Sequence, residues 1–183
     1  MKHDMPAFDG RMGDFNEVSG ALWDTFHNFG EIGEYRVVAE TDECVVIRLE
    51  NETGERDMIL YQVFDGIFLM YNDFHMSQYR SMYQAVDTML AVDYCREGSL
   101  TMEWGNGMYC MKKSGSVCID SRVHHKGMTY FPTRHYHGIT IGFVSSLAEK
   151  ALEENAAGIP VDLKALRKKF CGDGGYFIIQ EDE

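Results

Sequence analysis

Two places in this 183-residue sequence combine side-chain types and spacing suited to chemistry: His135-x-His137 and the run Tyr71-Asn-Asp-Phe-His75. On an extended strand alternate side chains share a face, so Tyr71, Asp73 and His75 project together, as do His135 and His137. A hydroxyl, a carboxylate and imidazoles converging from different strands suit a pocket for a small polar molecule. Glu103 and Tyr109, on neighbouring β-type runs, complete the expected ligand-binding set of Tyr71, Asp73, His75, Glu103, Tyr109, His135 and His137, facing one cavity. A metal is the rival use of the same imidazoles. Catalytic zinc or iron takes three protein ligands and an open position, so His75 or Glu103 would have to join His135 and His137 across the sheet. No carboxylate follows His137 until Glu149, and neither metal nor cofactor is expected. The sequence lacks Gly-x-Ser-x-Gly, a phosphate-binding glycine loop and a cysteine in an activating context. Catalytic residues are therefore not expected, and the chain reads as a binder rather than an enzyme.

The elements that would position these residues follow from hydrophobic period. Within Gly127–Val144, past Pro132, His137, Ile139, Ile141 and Phe143 alternate with Gly138, Thr140, Gly142 and Val144. The face of large apolar residues is expected to look into the core. Short β-type runs fill residues 35–144: Glu43–Glu50 and Arg56–Val63 flank the turn Asn-Glu-Thr-Gly, and Gly66–His75, Asp87–Cys95, Leu100–Trp104 and Gly115–Asp120 follow. Asn106-Gly107 marks a second hairpin. About eight such strands in roughly 110 residues fit a jelly-roll β-barrel. Asp93 and Glu103 are acidic positions inside these runs, where a carboxylate needs a partner or water.

Helical period brackets the strands. Phe15, Val18, Leu22, Phe26 and Phe29 predict a helix in an N-terminal arm over 1–34. After Val144, Ser146-x-x-Glu149 reads as a capping box, and a first helix stops near Gly158 and Pro160. Asp162 caps a second helix, and Gly172 ends it. Residues 145–183 thus form two C-terminal helices with apolar stripes, Leu147, Ala151 and Leu152 on one and Leu163, Leu166 and Phe170 on the other. A closed barrel has little room to cover both stripes, so Leu147, Ala151, Leu152, Leu163 and Leu166 are expected at a homodimer interface.

Composition narrows the function classes. Twenty-nine acidic against 17 basic residues give a formal charge of −12, which repels phosphate backbones and argues against this segment gripping nucleic acid. With no leader-like N-terminus and no apolar run of membrane-span length, the chain is expected to be cytoplasmic. The 5 cysteines form no Cys-x-x-Cys pair and read as free thiols.

Taken as a set, Tyr71-Asn-Asp-Phe-His75, Asp93-Tyr-Cys-Arg-Glu-Gly98, Phe131-Pro-Thr-Arg-His-Tyr-His-Gly-Ile-Thr-Ile141 and Ile159–Phe170 resemble the N-terminal sensor domain of AraC-type bacterial transcription regulators. The likeness covers residues 57–171. It implies a mainly β, cupin-like barrel that binds a small-molecule effector, followed by dimerisation helices. It also implies promoter DNA as a partner only through a helix-turn-helix module, which these 183 residues do not include. Unlike metal-dependent cupins, the sequence has no first His-x-His with a downstream glutamate. The alternatives are a small metal-dependent cupin enzyme and a stand-alone small-molecule-binding protein.

Overall fold

Eleven antiparallel strands and two helices make up the described structure, a computed structural model covering residues 35–41, 43–81, 89–104, 107–123, 125, 127–156, 161–172 and 175–180. The expected arm over 1–34 and its helix lie outside the described residues. Strands β1 (Tyr35–Glu40), β2 (Cys44–Asn51), β3 (Gly54–Phe64) and β4 (Ile67–His75) form a meander. The β2–β3 turn is Glu52-Thr53, and Gly54 takes φ 143°, where a Cβ would sit 2.0 Å from the His75 carbonyl oxygen. The glycine read as a turn residue is thus also a point of backbone contact.

Beyond β4 the sheet order is β4-β10-β6-β8-β11, with β10 at Tyr136–Val144, β6 at Met89–Trp104, β8 at Val117–Asp120 and β11 at Tyr176–Ile179. The two short β-type runs expected within 87–104 are one strand of 16 residues. Its first half pairs with β10 and β8. Its second half pairs with β7 (Met108–Lys113) and β9 (Gly127–Tyr130), and β9 pairs in turn with β5 (Gln78–Ser81). Because one strand serves two sets of partners, the sheet curls round its concave face.

That face holds the core. Val45, Ile47 and Leu49 of β2, Met58 and Leu60 of β3, and Phe68 and Phe74 of β4 meet Leu100, Met102, Phe131 and Tyr136. Phe74 sits edge-on to Phe131 at 5.4 Å and to Tyr79 at 6.3 Å, each such pair contributing about 0.5–1.5 kcal/mol beyond burial.

The helices α1 (Ser145–Asn155) and α2 (Leu163–Cys171) cover one end of the convex side. Asp162 caps α2 as expected, accepting from the Ala165 N–H at 2.8 Å, and Gly172 is its C-cap. The helix does not start at the expected capping box: the N-cap is Val144, two residues before Ser146, and it makes no side-chain cap bond. A correction follows for the expected interface. Ala151 and Leu163 are buried against Ile67 and Leu90, and Leu152 packs on the same cluster, because the sheet itself covers these stripes. Leu147 is half-buried and Leu166 is exposed. No described helix is long and apolar enough to cross a membrane.

Candidate functional site

Small residues on β10 open the space for the site. Gly142 faces Phe68 across the β4–β10 ladder, and a Cβ there would lie 1.9 Å from the Phe68 ring. A Cβ on Gly138 would lie 2.4 Å from the Tyr136 hydroxyl. The face of Gly138, Thr140 and Gly142 is therefore concave, filled by rings from neighbouring positions, while Ile139 and Ile141 are convex. This inverts the expected orientation of β10.

Within the concave face lies a half-open cavity of about 100 Å³, room for several waters or a small organic group. Met58, Phe68, Met70, Met89, Leu100 and Met102 form its apolar wall. Arg56 enters from β3 over the aromatic cluster, its guanidinium carbon 3.8 Å from the Tyr79 ring centroid and 4.9 Å from that of Phe74.

The opposite corner is built on Asp93, 3% exposed. Its Oδ2 accepts from Lys112 Nζ at 2.5 Å, and its Oδ1 from Arg122 Nη2 at 2.5 Å and Thr140 Oγ1 at 2.6 Å. Asn72 Nδ2 donates on to Thr140 Oγ1 at 3.3 Å. Burial alone would raise the Asp93 pKa, but the Arg122 and Lys112 charges and the Lys112 and Thr140 hydrogen bonds outweigh it and hold the carboxyl well below its usual range. Burial likewise disfavours charged Lys112, yet Asp93 keeps its pKa above the ordinary value. Arg122 adopts φ 62°, a left-handed backbone uncommon for a non-glycine residue, and Asp120 Oδ1 accepts its N–H at 2.5 Å. Asp120 thereby fixes the turn that aims the guanidinium inward. Arg122 Nη1 also donates to His125 Nε2. Burial first, then the Arg122 and Lys112 charges, push the His125 pKa well below 6.5, so this imidazole is neutral at pH 7.

None of the seven expected ligand-binding residues lines this concave cavity. Tyr71, Asp73 and His75 are exposed on the convex face, because Asn72 and Phe74 take the concave positions of β4. His135 and His137 are on the same convex side, and Asp73 is the point where the groups meet. Its Oδ1 is 2.9 Å from His75 Nε2 and 2.7 Å from His137 Nε2. Tyr71, Asp73 and His137 do share a space, a second half-open cavity of about 140 Å³ that they line with Asp57, Ile59 and Arg96. Glu103 and Tyr109 face each other across the β6–β7 ladder, with Tyr109 59% exposed, and line neither space.

Of the cavity's polar groups, sequence reading singled out only Asp93, as a carboxylate in a β run needing a partner. Arg56, Lys112, Arg122 and His125 were missed. Lys112 is followed directly by Lys113, so alternation did not show which of the two was buried.

No family model matches this chain, and no curated protein matches it. Similar solved structures include an HTH_3 family transcriptional regulator from Vibrio cholerae, 11% identical over 47% of this chain and 50% of that one, with a TM-score of 0.37. Others are FeII HppE, 10% identical over 59% of this chain and 60% of that one at a TM-score of 0.39, and ectoine synthase from P. lautus, 10% identical over 80% and 87% at 0.37. This chain thus spans less than two thirds of the length of the first two. Overlaps at these scores carry no argument about function.

Proposed function

We propose that this chain is a small-molecule-binding module of cupin-like architecture that serves as the effector-sensing part of an AraC-type transcription regulator. The observation that carries the binding reading is the half-open cavity, apolar except where positioned donors enter it. Arg56, Lys112 and Arg122 bring three cations to a lining that also holds Asp93, to which Lys112 and Arg122 donate, so a small molecule with an apolar body and an acceptor group that shares these cations suits it. The regulatory reading is supported by the sequence resemblance. In this reading a bound effector biases the packing of β4 and β10, on which α1 rests, and so the helices that follow. The surface proposed for a homodimer narrows to Leu166 with the part-exposed Leu147 and Leu152.

The alternative of a metal-dependent cupin enzyme would use His75, Glu103, His135 and His137, none of which lines the cavity. A thermal-shift screen of small aliphatic and aromatic carboxylates tests the binding reading. A true ligand at 100 times its Kd stabilises the folded protein by about 2.7 kcal/mol. Met70→Trp, which fills the cavity, is expected to abolish that shift. A ligand that stabilises the Met70→Trp protein as much as the wild type binds elsewhere and contradicts the assignment.

A further inference from the structure

We propose that the convex face of the β4–β10–β6 ladder carries a zinc-class metal site, with Glu97, His135 and His137 as ligands and Asp73 as the residue that orients His137. The site is separate from the cavity and does not depend on the function proposed for it.

The ligand atoms of Glu97, His135 and His137 lie within 4.8 Å of one another, as do those of Asp73, His75 and His135. Zinc bonds of about 2.1 Å place tetrahedral ligands roughly 3.4 Å apart, so modest side-chain rotation closes the first set on an ion. Its geometry is specific at the level of atoms. His137 Nε2 is 2.7 Å from Asp73 Oδ1, a distance for donation to the carboxylate. His137 Nδ1 stands 3.9 Å from Glu97 Oε2, and His135 Nε2 is in hydrogen-bonding distance of the same oxygen at 3.5 Å. Two imidazole nitrogens thus converge on one carboxylate oxygen, a donor set that a zinc-class ion takes. A carboxylate that holds the far nitrogen of a ligating imidazole is the usual outer-shell support of a metal site.

The backbone is shaped to bring these groups together. A register irregularity at His137/Gly138 places both Arg96 and Glu97 on the convex side. Regular alternation from Tyr94 would have turned Glu97 inward, and bulges of this kind re-aim side chains. Directly after it, Gly98 has φ 79°, and a Cβ there would lie 2.0 Å from the His135 carbonyl oxygen. Arg134, immediately before His135, has φ 54°. A surface pair contributing a few tenths of a kcal/mol does not need this much local accommodation. Two imidazoles and a carboxylate, with the site open to solvent, suit zinc and its first-row neighbours rather than magnesium or calcium.

Among the described residues the remaining group of possible ligands, Asp93, Cys118 and Asp120, is buried beside Lys112 and Arg122, whose charges oppose a cation.

Chelator-stripped 183-residue protein titrated with zinc sulfate against a chromophoric competitor tests the proposal. One equivalent is expected to bind with a Kd of about 1 μM or tighter. Glu97→Ala and His137→Ala should each weaken binding at least tenfold, and Asp73→Asn about tenfold. Asp73 and Glu97 are exposed and His137 is half-buried, and circular dichroism checks that each variant is folded. X-ray absorption of the loaded protein should show two imidazole nitrogens and carboxylate oxygen. Absence of binding at 100 μM zinc, or undiminished binding by a folded His135→Ala/His137→Ala variant, would overturn the proposal.

Discussion

Removing one member of a buried charge cluster costs more than the intact cluster contributes, because the partners stay behind in a poorly polarisable surrounding. Asp93→Ala would leave Lys112 and Arg122, 2% and 6% exposed, without their shared carboxylate. A loss of about 3–5 kcal/mol is expected in denaturant titration, and a loss below about 1 kcal/mol would mean that water reaches the cluster. His125 makes a second prediction. Its imidazole stays neutral among Arg122, Lys112, Arg56, Asp93 and Asp120 in the folded protein but takes a proton near pH 6.5 when unfolded. The unfolded state therefore binds more protons below that pH. Stability is expected to fall as pH drops from about 6.5, by at most about 1.4 kcal/mol per pH unit. Asp93 adds a further loss below about pH 4, where an unfolded carboxyl protonates and the folded one does not. His125→Gln should remove the first slope and keep the second; an unchanged profile would assign the acid sensitivity to other groups.

Strand β10 shows why its alternation was legible but its orientation was not. Large apolar residues normally mark the inward face, yet here inward positions belong to Gly138, Thr140 and Gly142, because Phe68 and Tyr136 occupy the space in front of them. Only the three-dimensional neighbour makes a glycine a core residue. The same inversion puts Tyr71, Asp73 and His75 outside, and it brings His135 and His137 to them there. Glu97 was not legible at all, since nothing local in Arg96-Glu97-Gly98 signals that β6 carries an extra residue. The turn at Gly54 and the Asp162 cap depend on local chemistry and were read correctly. Gly142→Ala tests the account of β10: its methyl must displace the Phe68 ring and is expected to cost about 1–3 kcal/mol. Pairing it with Phe68→Leu should recover part of that cost, whereas additive losses would show that the two positions do not compete for space.

At the scale of the molecule, a surface with a formal charge of −12 encloses a cavity that places Arg56, Lys112 and Arg122 beside Asp93. The two helices close one end of the sheet with Ala148, Ala151 and Leu163. Effector binding is therefore expected to act first on the concave wall. Methionine methyl NMR reads that wall directly, because Met58, Met70, Met89 and Met102 line the cavity while Met108 and Met111 of β7 are exposed and do not line it. Titration with a carboxylate that raises the melting temperature is predicted to shift the first four methyl resonances and leave the last two unmoved. Shifts confined to Met108 and Met111, or none at all with a saturating ligand, would contradict the claim that this cavity is the binding site.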